Sequence, residues 1–165
     1  MLVKIYLDAC ALNQMCIRDR IYLDACALNR LTDDQSQSRI RTEAEAVERV
    51  LHLVRKGEAE WKASTVLEAE IRRNPNGEGR NDALALLSFA GELLRPHQVS
   101  IERARALEAI GYGAFDALHL ACAEQAAIDV LLTTDDRFIK QAGRRLGKPA
   151  IRVLNPVNWL QETQR

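Results

Sequence analysis

The chain has 165 residues, enough for one domain with a real core and too few for two ordinary ones. Lys plus Arg number 23 and Asp plus Glu 23, so the net charge is zero and gives no bulk pull toward nucleic acid; any such binding must come from a local patch or a metal. No apolar run approaches the roughly 18 residues needed to cross a membrane, and Met1-Leu2-Val3-Lys4 opens into a strand-like run carrying Asp8, not a signal-peptide core, so a cytoplasmic protein is expected.

An acidic residue ends an apolar strand twice near the start. Ile5-Tyr6-Leu7-Asp8-Ala9-Cys10-Ala11-Leu12-Asn13 returns as Ile21-Tyr22-Leu23-Asp24-Ala25-Cys26-Ala27-Leu28-Asn29. The period is 16 residues, from Asp8 to Asp24, and it occurs once, so a tandem duplication or assembly artefact explains it better than a solenoid. Only one copy can form the first strand. The second copy is expected to do so: using the first would force the extra chain to bulge between the strand and its helix, whereas termini tolerate additions. Residues 1–20 are therefore read as a duplicated N-terminal extension, and 21–160 as the domain.

A short helix is predicted over Ala25 to Leu31, then a polar loop, then an amphipathic helix from Ile40 to Lys56 stopped by Gly57. Trp61 to Ser64 reads as a short strand. Ser64 or Thr65 caps a helix to about Arg73, and Asn74-Pro75-Asn76-Gly77 breaks it. Helices follow over Asp82–Leu94, over Ile101–Ile110 capped by Ser100, and over Ala114–Ala127. Val130 to Thr134 is a buried-strand candidate, Asp135 caps a helix to about Leu146, and Ile151 to Leu154 is the last strand. Strands separated by helices predict an α/β fold, a three-layer α/β/α sandwich around a central, mainly parallel sheet.

Of the four cysteines, Cys10 and Cys26 occupy equivalent positions, Cys16 lies between the copies and Cys122 lies in a helical run. No Cys-x-x-Cys pair exists, so reduced structural thiols are expected rather than a zinc site. The chemistry lies in carboxylates. Asp24 and Asp135 end strands, and ligands of open α/β sheets collect at the carboxyl ends of strands. Asp116 lies in a first helical turn after Gly113, and Glu70 lies among apolar neighbours. Converging carboxylates repel unless cations or protons neutralise them, and an oxygen-only set suits Mg²⁺ or Mn²⁺. Neither a nucleophile elbow nor a P-loop is present.

Leu23-Asp24-Ala25, Ser64 with Glu70-Ile71, Asp116-Ala117-Leu118-His119-Leu120-Ala121-Cys122-Ala123 and Leu131-Leu132-Thr133-Thr134-Asp135-Asp136-Arg137-Phe138 resemble, in that order, the PIN domain family. The resemblance spans Ile21 to Trp159; the last two motifs are the most specific, and Glu70 is the weakest because Glu68 stands two residues away. It implies a Mg²⁺- or Mn²⁺-dependent ribonuclease, many similar proteins being toxins of VapC-type toxin–antitoxin pairs. By the same resemblance Asp24, Glu70, Asp116 and Asp135 are the catalytic and metal-holding set. RNA is the substrate, and a small antitoxin or a second copy of the chain is a further partner.

Each carboxylate also has a plainer role. Asp24 and Asp135 can cap helices, Asp116 can complement a helix dipole, and Glu70 can pair with Arg72 or Arg73. Their joint occurrence favours a metal site. Ser64, Thr134, Asp136 and His119 are candidates to support it, His119 sharing a helix face with Asp116 three residues before. Two other readings compete: an inactive PIN-fold module that binds RNA or protein, and a haloacid dehalogenase-type phosphatase. The latter wants a second Asp where Cys26 stands.

Overall fold

The structure, a computed structural model, describes residues 19–164. The first copy of the repeat, with Asp8 and Cys10, and Cys16 between the copies lie outside the described residues. Strand β1 is Asp19–Leu23, which starts two residues before the second copy, and its Ile21, Tyr22 and Leu23, from that copy, are wholly buried. Helices α1 (Ala25–Asn29) and α2 (Ser38–Arg55) follow, then β2 (Ala59–Trp61), α3 (Thr65–Arg72), α4 (Gly77–Leu86) with a 3-10 turn over Leu87–Ala90, α5 (Gln98–Ala109) and α6 (Ala114–Gln125). The chain continues through β3 (Val130–Leu132), α7 (Asp136–Gly143), β4 (Arg152–Leu154) and α8 (Pro156–Thr163).

The four strands form one parallel sheet in the order β2-β1-β3-β4. From β1 the chain steps outward to β2, then returns past β1 to β3 and continues to β4. Right-handed crossovers running in opposite directions place their helices on opposite faces. Accordingly α2 packs against α8 in one layer, while α3, α5 and α6 pack together in the other. The expected three-layer α/β/α sandwich is present. The reversal of direction falls between β1 and β3, where Leu23 pairs with Leu132 and the Asp24 N–H donates to the Leu132 carbonyl at 3.2 Å. That junction is the switch point of the sheet, where such folds open a crevice beyond the strand ends.

Several boundaries differ from those predicted. Strand β2 begins two residues early, because only Asp19, Arg20 and Ile21 of β1 are in register with it. Helix α4 starts at Gly77 rather than Asp82, since Asn76 turns its side chain to accept from the Gly79 N–H at 3.2 Å and caps it. The run breaks before Leu94, at Gly91, whose φ of +70° few other residues adopt cheaply. Helix α5 starts at Gln98, ahead of the predicted Ser100 cap. Ser100 instead donates to the Gln125 side-chain oxygen at 2.6 Å, and that oxygen also takes the His97 N–H at 2.8 Å. Helix α8 was not anticipated, although Asn155 caps it through the Val157 N–H at 2.9 Å and Pro156 occupies its first turn.

Candidate active site

Asp24 follows β1 and Asp135 follows β3 by two threonines, so adjacent parallel strands deliver both to one edge. Both are helix caps, as the plainer reading held. Asp24 Oδ1 accepts from the Ala27 N–H at 2.9 Å, and Asp135 Oδ1 accepts from Arg137 and Phe138 N–H at 2.8 and 3.2 Å. Each cap occupies one oxygen and fixes the rotamer, which leaves Oδ2 of each carboxylate free of the cap. Asp24 is only 1% exposed. Burial pushes its carboxyl up to about 6 and the nearby Glu70 adds to that, while His119, the Thr133 hydroxyl and the Ala27 N–H oppose it.

Asp116 enters the same field from the other layer, in the first turn of α6. Its carboxyl is pushed up to about 7, first by burial and then by the charges of Asp135, Asp24 and Glu70. Gly113 caps that helix, and a β-carbon there would stand 3.1 Å from Asp116 Oδ2. A larger residue would press on the carboxylate, which would have to give by a few tenths of an ångström.

Glu70, not Glu68, is the inward-facing acid of α3. Glu68 is taken by Arg72, and the Arg73 guanidinium lies 5.5 Å from the Phe115 ring centroid. Glu70 Oε2 instead meets His119 Nε2 at 2.6 Å. Behind His119 a buried chain continues: Nδ1 lies 2.8 Å from Tyr22 Oη, which lies 2.5 Å from Ser64 Oγ. Ser64 also caps α3, accepting from the Leu67 N–H at 3.1 Å. Burial holds the Tyr22 hydroxyl well above its ordinary range, so it remains a proton donor. Sequence reading missed Tyr22 altogether; its only signal was a polar tip in an otherwise apolar strand.

Thr133 Oγ1 accepts from the Asp135 N–H at 3.1 Å, whereas Thr134 Oγ1 is buried with no hydrogen-bond partner. Asp136 points along the β4 side of the edge, where both its oxygens meet Arg39 at 2.8 Å. Arg39 and Arg30 also donate to Glu43, which is 3% exposed and accepts from Asn155 as well. A cleft of about 460 Å³ lies here, lined by Arg39, Glu43, Asp136 and Asn155 among others. Neither Glu43 nor Arg39 was singled out from the sequence, because beyond their own i,i+4 pair their partners, Asp136 and Asn155, come from distant segments. Cys26 is a free, half-buried thiol that faces the same four carboxylates; burial first, then those charges, push it upward and keep it protonated.

The four predicted acids thus share one electrostatic field. They do not form a tight cage: among the described residues, no three His, Cys, Asp or Glu side chains stand close enough to chelate one ion. The donor chemistry fits a hard divalent cation all the same. The donors are oxygens, two carboxyls resist ionisation, first through burial and then through neighbouring carboxylate charges, and the unpartnered Thr134 hydroxyl is buried beside Asp135. Mg²⁺ commonly keeps several waters and uses only one or two carboxylates directly, which suits a spread set.

Comparison with known proteins agrees with the sequence motifs. The family model described as the PIN domain matches residues 5–144. Among solved structures, one titled "Crystal Structure of FitAcB from Neisseria gonorrhoeae" superposes with a TM-score of 0.52 at 17% identity, covering 82% of this chain and 97% of that one. At that identity the likeness is one of fold. No curated protein matches the chain. With the family match spanning most of the sequence and the acidic edge in place, the chain belongs to the PIN domain family.

Proposed function

We propose that this protein is a divalent-metal-dependent endoribonuclease that hydrolyses RNA phosphodiester bonds. PIN domains are generally nucleases and typically use divalent metal ions. The observation that carries the proposal is Asp116, a carboxyl pushed up to about 7 partly by Asp135 and Asp24, which arrive from the two strands at the switch point. Asp24, Glu70, Asp116 and Asp135 would hold Mg²⁺ or Mn²⁺. Bound there, the dication would lower the pKa of an attacking water and offset charge on the phosphodiester.

The protein's own share of the work is positioning. The caps at Ala27 and at Arg137 and Phe138 hold Asp24 and Asp135 before substrate arrives, so little ordering is left for the reaction itself. His119 restrains Glu70, and Gly113 leaves room for Asp116. Arg39, half exposed at the mouth of the neighbouring cleft, is suited to meet an RNA phosphate by exchanging its Asp136 partner. By family resemblance the products are a 5′-phosphate and a 3′-hydroxyl. The biological setting we propose is the toxin of a toxin–antitoxin pair in the cytoplasm, with a small antitoxin over the cleft and a homodimer as the working form. No helix among the described residues is long and apolar enough to cross a membrane.

The spread of the carboxylates favours one second reading, a catalytically inactive PIN-fold module that binds RNA or protein. Cleavage of single-stranded RNA with and without Mn²⁺ separates the two. The nuclease reading expects Mn²⁺-stimulated cleavage that Asp116→Asn reduces by at least about 100-fold. Mn²⁺-independent cleavage, or equal activity in both proteins, would refute it.

A further inference from the structure

We propose that Ser64, Tyr22 and His119 are positioning residues that aim Glu70 through a one-directional hydrogen-bond chain; this rests on the metal-nuclease reading above. The direction follows from its two ends. At one end the Leu67 N–H can only donate, and it does so to Ser64 Oγ at 3.1 Å. At the other, an ionised Glu70 can only accept, so His119 Nε2, 2.6 Å from Glu70 Oε2, carries the proton. With the imidazole neutral, Nδ1 is then the acceptor and would take the Tyr22 hydroxyl proton across 2.8 Å, whereas an imidazolium would donate from Nδ1 and break the order at this link. Tyr22 Oη in turn accepts the Ser64 hydroxyl proton across 2.5 Å. Every donor has an acceptor in this order.

The chain spans separate pieces of the fold. Ser64 begins α3, Tyr22 lies in β1 and His119 lies in α6, so the sheet and one helical layer jointly set a single side-chain angle. Ser64, Tyr22 and His119 are each no more than 1% exposed, so solvent does not compete for their hydrogen bonds. Ring contacts hold the imidazole plane: Phe115 stacks on it at 6.1 Å between centroids, and Tyr22 is tilted against it at 5.5 Å. Glu70 itself has a side chain 24% exposed on a short helix, with several rotatable bonds. Fixing Oε2 on His119 leaves Oε1 as the oxygen available to the cation. Partners standing behind metal ligands commonly change metal affinity or activity by 10- to 100-fold when removed.

The test compares wild type, Tyr22→Phe, His119→Gln and His119→Leu by circular dichroism melting, Mn²⁺ calorimetry, RNA cleavage over a Mn²⁺ range, and nitrogen NMR of His119. The expected wild-type tautomer is Nε2–H. Tyr22→Phe should raise the Mn²⁺ dissociation constant about 10-fold, with cleavage largely recovered at saturating Mn²⁺. His119→Gln keeps an N–H for Glu70 and should lose less affinity than His119→Leu. Should the histidine variants fail to fold, Tyr22→Phe, which deletes one oxygen, carries the test. An Nδ1–H tautomer, a doubly protonated ring, or folded Tyr22→Phe with unchanged Mn²⁺ affinity, would overturn the positioning chain and leave the nuclease reading standing. Wild type that binds no Mn²⁺ would instead sink the metal reading, and the chain's proposed role with it.

Discussion

Asp24 and Asp135 each do two things with one carboxylate: a single oxygen caps a helix, and the group as a whole contributes to a shared negative field. The dull and the chemical readings of an acidic residue after a strand are therefore compatible, and the cap is what makes the site rigid. Burial of these carboxyls, with the repulsion in that field added to it, has a consequence for stability. Asp116 moves from an ordinary 3.8 to about 7, and Asp24 from 3.8 to about 6. A carboxyl whose folded value is raised keeps its proton longer in the native state. Native stability is then lost as pH rises from about 4 to about 7, the reverse of a salt-bridged carboxylate. In chelator, urea midpoints from pH 5 to 8 should show Asp116→Asn gaining on wild type as pH rises, by about 2 kcal/mol at pH 8 after allowing for partial exposure. A constant difference across that range would contradict the shift. At this scale Asp24, Asp116 and Asp135 were legible because each stands at a recognisable element boundary. Glu70 is set apart from Glu68 only by its contact with His119, a residue far away in the chain.

Elements were legible where periodicity and capping act locally. Helix α2 and the capped starts of α3 and α7 follow from short-range rules, and the structure places them within a few residues of expectation. The errors came where a distant residue intervened, as when Gln125 took over both the His97 N–H and the Ser100 hydroxyl. Glu43 is the strongest case of long-range definition. It lies on the buried face of α2 and joins Arg30 at 2.6 Å, Arg39 at 3.0 Å and the α8 cap Asn155 at 2.9 Å. Although burial pushes its carboxyl up, the bonds from Arg30, Arg39 and Asn155 outweigh that and hold it below its ordinary value. Glu43→Ala would leave the half-buried Arg30 without its inner partner and loosen α8 from α2. Chemical denaturation should show a loss of about 3 kcal/mol, at the low end for a buried pair because Arg39 is half exposed. A loss below about 1 kcal/mol would show that Arg30 finds sufficient pairing in Asp33.

Over the whole molecule, the strand order decides where function can sit. A neutral chain offers no global attraction for RNA, so the reversal between β1 and β3, with its acids and the adjacent Arg39 cleft, is the natural place for it. Alternation of strands and helices announced a parallel α/β fold, but nothing local in the sequence says that β1 pairs on both sides. The repeat belongs to this scale too. Since β1 comes from the second copy, we expect a chain lacking residues 1–16 to melt at the same temperature and cleave RNA at the same rate as the full chain. Loss of either would show that the first copy contributes. The central claim, that four acids from separate elements jointly hold a dication, is tested most directly by a crystal soaked in Mn²⁺ and measured at the manganese edge. An anomalous peak bounded by Asp24, Glu70, Asp116 and Asp135 is expected, and it should be absent in Asp116→Asn. A fully soaked crystal of the wild type with no peak among those side chains would contradict it.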